Sequence, residues 1–311
     1  MSTSSVKRYD RSAAEAWLET AGILREALPY MRRYAEQHVV IKLGGHAMHD
    51  PELLEAFAAD IVLLRQVGIY PILVHGGGPQ IQSLLDQLGI ETPFVNGLRV
   101  TSQAAMQVVE MVLSGQVNKQ IVSAIQKAGG QAVGISGKDA NLLRARRIGH
   151  LSSDNPEQDD PERQDLGLVG EPELVNPVVL AALETAGLIP VIAPLAYSQD
   201  AETLNVNGDA VAGALAVALG AKRLLLLSDV PGVLNKEGEL LTSLSLDAAR
   251  QALSDGTAQG GMKPKLKTAI DAVEQGVEAT VIMDGRIQHR ILLELFTDLG
   301  AGTFVQQEAW A

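Results

Sequence analysis

The sequence predicts an α/β protein with a mainly parallel β-sheet covered by helices on both faces. Three observations carry this. Apolar strand-like runs alternate with helical patterns almost throughout the chain. The runs are short and wholly apolar, like strands buried on both faces, as in "PILVH" (71–75). At 311 residues with 46% apolar content, the chain can bury a large core, as one domain or as two lobes. Only 4% of residues are aromatic, so that core is built from Leu, Val, Ile and Ala.

Taken in order, the chain opens with an extension in which Ser12 and Glu15 have capping-box spacing. Trp17, Ala21, Leu24 and Leu28 then form one apolar stripe, ending near Pro29. A helix before the first strand has no obvious neighbour within a compact sheet, so pairing with another subunit is favoured over packing on its own. "HVVIKL" (38–43) reads as the first strand, followed by a helix after Asp50-Pro51 with Leu53, Leu54, Phe57, Ile61 and Leu64 on one face. After "PILVH", Ile81, Leu84, Leu85 and Leu88 recur at helical spacing. Further strands are expected at 131–136, 187–195, 222–229 and 278–283, and helices at 102–114, 116–128, 177–186, 208–219 and 264–275. Residues 151–166 are acidic and contain Pro, a solvated loop to which no chemistry is assigned. "LNKEGELLTS" (234–243) reads as a short hairpin with Gly238 in its turn.

The formal charge is −12, with 37 acidic and 25 basic residues, which disfavours a nonspecific nucleic-acid binder but not a local anion site. With no cysteine, disulfides, thiol catalysis and thiolate metal sites are excluded. No apolar run approaches the roughly 20 residues of a membrane span. The N-terminus also lacks a signal-peptide core, so a cytoplasmic location is expected.

In a parallel sheet, ligands collect beyond the C-terminal strand ends. "IKLGGHAM" places Lys42, Gly44 and Gly45 there, and "VHGGGP" adds Gly76, Gly77 and Gly78. On its own the triple glycine is as readily a tight strand-to-helix turn as an anion cradle at a helix N-terminus. It is not the G-x-G-x-x-G of a dehydrogenase, and the chain has no G-x-x-x-x-G-K-[ST]. "TLNVNGDA" (203–210) brings Asn205, Asn207 and Asp209, and "LLLLSDVPGVL" brings Ser228, Asp229 and the turn at Pro231-Gly232. A lysine inside an apolar strand is seldom there for packing alone, because burying an unpaired ammonium is costly. Arg99, after the Asn96-Gly97 turn, has the fork to clamp a carboxylate. Lys263, Lys265 and Lys267 cluster at a glycine-rich helix entry, another anion-binding arrangement. Together these residues point to phosphoryl transfer, with a carboxylate as a candidate acceptor.

The same stretches resemble the amino acid kinase family, in its branch of arginine-sensitive acetylglutamate kinases. "VVIKLGGHAM", "LVHGGGPQI", "FVNGLRVT", "GISGKDANLL", "LNVNGDAVAGALA", "LLLLSDVPGVL" and "GGMKPKLKTA" match in the family's order, within roughly residues 25–306. The resemblance implies a three-layer αβα sandwich around a central, mainly parallel sheet. It implies an oligomerisation helix at 1–37, an acetylglutamate-binding N-lobe at 38–200 and an ATP-binding C-lobe at 201–311. Lys42 and Lys265 would stabilise the transition state and Asp209 would orient them, while Lys263 falls at a variable position. Gly76, Gly77, Gly78, Arg99 and Asn205 would bind N-acetyl-L-glutamate, and Gly44, Gly45, Ser228, Asp229 and Gly232 the nucleotide. ATP would arrive with Mg²⁺ held mainly by its own phosphates, without a private protein metal site. L-arginine would be a feedback effector contacting His289, Glu294 and Gly300, in a homohexamer built as a trimer of dimers. Rival expectations are a related carboxylate kinase, acting on aspartate, glutamate or a carrier-protein-linked substrate, and a non-catalytic amino-acid sensor.

Overall fold

The computed structural model describes residues 11–45, 48, 50–95, 97–149 and 165–308, without the side chains of 11–16 and Glu19. The Ser12/Glu15 pair, Asn96 and nearly all of the acidic loop therefore lie outside the described residues. In chain order the elements are α1 (Arg11–Tyr34), β1 (His38–Leu43), α2 (Pro51–Gln66), β2 (Tyr70–His75), α3 (Gly78–Leu88), β3 (Phe94–Val95) and β4 (Leu98–Arg99). There follow α4 (Gln103–Glu110), α5 (Asn118–Lys127), β5 (Ala132–Ser136), β6 (Leu143–Arg147), β7 (Val169–Val175), α6 (Val178–Thr185), β8 (Ile189–Ala193), β9 (Leu195–Tyr197) and β10 (Thr203–Val206). The last group is α7 (Gly208–Ala218), β11 (Arg223–Ser228), β12 (Ser243–Ser245), α8 (Leu246–Ser254), α9 (Met262–Glu274), β13 (Ala279–Asp284), α10 (Arg290–Phe296) and β14 (Gly302–Gln306).

Eight strands form one sheet in the order β12-β14-β13-β11-β1-β2-β8-β5. Its pairings are parallel except β13 with β14. From β1 the chain steps one way to β2, and from β11 it steps the other way to β13. Right-handed crossovers then put their helices on opposite faces. α2 packs with α5 on one face, and α7, α8 and α9 pack together on the other. β8, β11 and β13 are buried at every position, as strands covered on both sides must be. The sequence pattern did not show that β6, β7, β9 and β10 would close into a small barrel.

Local chemistry sets several element ends. Asp50 caps α2, accepting from Glu52 N at 2.9 Å and Leu53 N at 3.2 Å, with Pro51 in the first turn. The expected hairpin is present, with Leu234 bridging Leu240 and Gly238 at φ +84°. α1 runs through Pro29, where the apolar stripe ends, to Tyr34. The missing N–H is outweighed by docking of the last turn, where Tyr34 is buried and Arg33 Nη2 reaches Glu278 Oε1 at 2.8 Å. The helices expected at 102–114 and 116–128 are one continuous run, joined by a π-helical segment over Met111–Val117. On α1, Trp17, Leu18, Ile23, Leu24 and Leu28 remain exposed, so nothing among the described residues covers the apolar stripe.

Candidate active site

The C-terminal ends of β11, β1 and β2 meet at the point where strand order reverses, the position at which open α/β sheets bind ligands. Lys42 is paired in register between Leu226 and Val74, so its side chain rises at this edge. Opposite it stands α7, whose first turn carries Asp209. Asn207 caps that turn, its Oδ1 accepting from Asp209 N at 2.8 Å. Gly208 lets the turn come close, because a Cβ there would lie 3.4 Å from Lys42 Cε and from the His75 carbonyl oxygen. α9 supplies the third group from its own first turn, Lys265.

The three side chains form a buried cluster. Asp209 Oδ2 accepts from Lys265 Nζ at 2.8 Å, and Oδ1 faces Lys42 Nζ at 2.9 Å as an ion pair without hydrogen-bond alignment. Burial alone would raise the Asp209 carboxyl, but the Lys42 and Lys265 ammoniums outweigh it and hold it at about 2. Burial pushes Lys265 down, and Asp209 opposes that shift. One carboxylate against two ammoniums leaves a positive centre at the mouth of the sheet. Lys263 and Lys267 are exposed, so only Lys265 of the cluster enters the site.

Two glycine loops border this centre and touch each other. A Cβ on Gly45 would sit 3.3 Å from Pro79 Cδ, and one on Gly44 would sit 2.9 Å from the Leu227 carbonyl oxygen. The first N–H groups of α3, beginning at Gly78, have no intrahelical partner and suit an anion. On the far side of β1, Ser228 is buried and bonds Asp229 at 3.2 Å. Gly232 lies at φ +152°, packed so closely on Thr303 that a Cβ would meet its Oγ1 at 2.5 Å.

Arg99 lies beside α3 on the β3–β4 hairpin and is buried. It donates to Gln82 Oε1 and Thr92 Oγ1, each at 2.6 Å, and to the Gly78 carbonyl at 3.4 Å, and it stacks on Phe94. Every one of these acceptors is neutral. Burial lowers the guanidinium's pKa and Asp86 partly opposes it, so the charge is under-compensated and suited to a carboxylate. Asn205 is nearby on β10, with a long bond to Thr101 Oγ1 at 3.4 Å.

The residues named for an effector lie elsewhere and are engaged internally. His289 Nδ1 pairs with the buried Asp60 at 2.7 Å, and Glu294 Oε2 accepts from Ala301 N at 2.7 Å. Burial raises the Glu294 carboxyl, and the Ala301 N–H opposes it. Gly300 stands at φ +62°. Among the described residues no group of three or more His, Asp or Glu side chains is arranged to hold a metal, and no helix is long and apolar enough to cross a membrane. Sequence reasoning missed His75 and Asn118 beneath the second glycine loop. A histidine closing a wholly apolar strand was the available signal.

Residues 37–284 match the model of the amino acid kinase family. The chain is 55% identical over 290 residues to an acetylglutamate kinase of Parvibaculum lavamentivorans, covering 93% of this chain and 95% of that one. The chain belongs to the amino acid kinase family, among its acetylglutamate kinases. A second such relative, from Methylobacterium nodulans, is 56% identical over 92% of this chain and 94% of its own. Among solved structures, N-acetylglutamate synthase of Neisseria gonorrhoeae, complexed with coenzyme A and N-acetyl-glutamate, superposes with a TM-score of 0.81 at 28% identity. That match covers 93% of this chain but 64% of the synthase. Carbamate kinase of Giardia lamblia bound to AMP-PNP shares the fold, with a TM-score of 0.62 at 17% identity over 88% of this chain and all of its own.

Proposed function

We propose that Lys42, Asp209 and Lys265 form the phosphoryl-transfer centre of an acetylglutamate kinase. The γ-phosphoryl group of ATP passes to the side-chain carboxylate of N-acetyl-L-glutamate: the bond to the β-phosphate oxygen breaks, a bond to a carboxylate oxygen forms, and ADP and N-acetyl-L-glutamyl 5-phosphate leave. The observation that carries this reading is one buried carboxylate holding two ammoniums, at 2.9 and 2.8 Å, beside two glycine loops. Attacking carboxylate and phosphoryl group are both anionic and repel, so the site must screen charge and align reactants without an acid or base. Lys42 and Lys265 neutralise the transferring group and the leaving oxygen. Asp209 keeps both ammoniums in place. Glycine N–H groups cradle the phosphoryl oxygens, and Arg99 exchanges its neutral acceptors for the α-carboxylate, with Asn205 beside it.

Gly44, Gly45, Ser228, Asp229 and Gly232 border the nucleotide. With Asp209 committed to two lysines, Mg²⁺ would be held mainly by the ATP phosphates and water, and would supply charge screening of those phosphates. Incubation with ATP and N-acetyl-L-glutamate plus hydroxylamine should yield the hydroxamate of an acyl phosphate. A panel including aspartate, glutamate and carrier-protein-linked aminoadipate should give far less, and turnover confined to one of those would replace the substrate.

The uncovered stripe on α1 favours one extension of this reading, a hexamer assembled through that helix and inhibited by L-arginine bound near His289, Glu294 and Gly300. Deleting residues 1–30 should give dimers insensitive to arginine. Hexamers surviving that deletion would remove α1 from the interface.

A further inference from the structure

His75 is the last residue of β2 and fully buried, directly before the triple glycine. Its Nδ1 lies 2.7 Å from the Gly76 carbonyl oxygen. A carbonyl only accepts, so Nδ1 carries the proton and Nε2 of the neutral ring is an acceptor. Asn118 Nδ2 stands 3.2 Å from that Nε2, 2.9 Å from the Val191 carbonyl and 3.3 Å from the Ile135 carbonyl, so its two hydrogens are shared among three acceptors. The Asn118 amide is held the right way round from its other end, where Oδ1 accepts from Lys119 Nζ at 3.1 Å. A protonated ring would set its Nε2–H against the Asn118 N–H₂. Burial drives the same way, holding His75 at about 4 despite the bond to Gly76, with Lys119 and Lys42 adding to the shift.

The packing around this pair is specific to it. A Cβ on Gly134 would lie 1.7 Å from Asn118 Oδ1, so only glycine lets Asn118 reach between β5 and β8. Asn118 directly follows the π-helical segment, whose Leu113 and Val117 press on the loop from the other side. A Cβ on Gly77 would meet Leu113 Cδ2 at 2.6 Å and Val117 Cγ2 at 3.5 Å. Wider helical turns of this kind recur at functional sites, because they shift side-chain register by part of a turn. In a trans peptide, C=O and N–H point in opposite directions. Fixing the Gly76 carbonyl toward the buried ring therefore aims the Gly77 N–H away from it, toward the mouth of the sheet.

We infer that His75 and Asn118 form a neutral hydrogen-bond relay that positions the Gly76–Gly77 peptide, so that the Gly77 N–H meets the transferred phosphoryl group. The inference rests on the phosphoryl-transfer reading above. His75 touches no reacting atom in this scheme and is a positioning residue. Losing an oriented donor outright costs about 10²–10³ in kcat, so misaiming one should cost about 10–100-fold.

Steady-state hydroxamate assays on the full chain separate positioning from plain stability. His75→Leu should lower kcat about 10–100-fold, with KM for ATP and N-acetyl-L-glutamate changed less than about threefold. His75→Asn keeps a donor near the Nδ1 position and should return kcat to within about fivefold of the unchanged chain, with an unfolding temperature no higher than that of the leucine variant. An unchanged kcat in His75→Leu, or equal losses in both variants, would overturn the relay. On the unchanged chain, ¹⁵N spectra of the His75 ring test it independently of any variant's folding. The Nδ1–H tautomer should persist from about pH 5.5 to 8, and an Nε2–H or titrating ring would overturn it. If the unchanged chain forms no hydroxamate while the tautomer is as expected, the transfer reading fails and the hydrogen-bond relay stands.

Discussion

Asp209 sits at the C-terminal end of the sheet between Lys42 and Lys265; Glu278 sits at the opposite end among Arg33, Lys222 and Arg223. Both carboxyls are held at about 2, in each case by neighbouring cations that outweigh burial. Charge and pKa alone do not distinguish the two clusters. Their surroundings do. Around Glu278 the cations are fastened: Arg223 is buried and stacked between the rings of Tyr34 and Phe304, and Arg33 ties down the end of α1. Around Asp209 stand two glycine loops and the N-terminus of α3, whose first N–H groups have no side-chain cap. A perturbed carboxylate marks a site only where unsatisfied donors accompany it. Elsewhere it marks a clamp.

The contrast can be broken most directly at its charged centres. Lys265→Ala should lower kcat by about 10²–10³, as for loss of a preorganised electrostatic donor, while Glu278→Gln should leave kcat within about threefold. Near-normal turnover in the lysine variant would dissolve the distinction. Arg99→Lys tests the under-compensated cation beside the site. With the fork lost, KM for N-acetyl-L-glutamate should rise about tenfold with a smaller change in kcat, and an unchanged KM would take Arg99 out of the substrate site. The smallest effect is on stability against pH. Both carboxyls have folded values below the ordinary 3.8 and 4.5, so their contribution is present above those values and is lost as pH falls through about 2. Thermal unfolding should drop between about pH 4.5 and 2, and Glu278→Gln should flatten that drop. An unflattened curve would mean that the Glu278 clamp does not hold the chain together.

Much of the candidate site could be proposed from the sequence because its signals are local. A lysine inside an apolar strand and three glycines between a strand and a helix each violate a packing norm within a few residues. The Asp50-Pro51 cap and the buried strands β8, β11 and β13 were readable for the same reason. Short strands such as β9 and β14 were not, since three to five residues carry no clear period. Nor was the π segment, whose apolar pattern continues that of α4 with only a shift in register.

The sequence by itself determined the strand–helix alternation, the two glycine loops and the presence of Lys42 and Arg99 at strand and hairpin positions, because backbone propensity and burial period act over neighbouring residues. The tertiary structure decided which lysine of the 263–267 cluster joins Asp209, across 56 residues, and that His289 spends its ring on Asp60, across 229. It also decided that His75 finds Asn118 beneath "HGGGP", and that Glu278 gathers Arg33, Lys222 and Arg223 at one end of the sheet while Asp209 joins Lys42 and Lys265 at the other. Such pairings depend on strand order and crossover hand, which place distant segments side by side, and a one-dimensional pattern holds no record of that proximity.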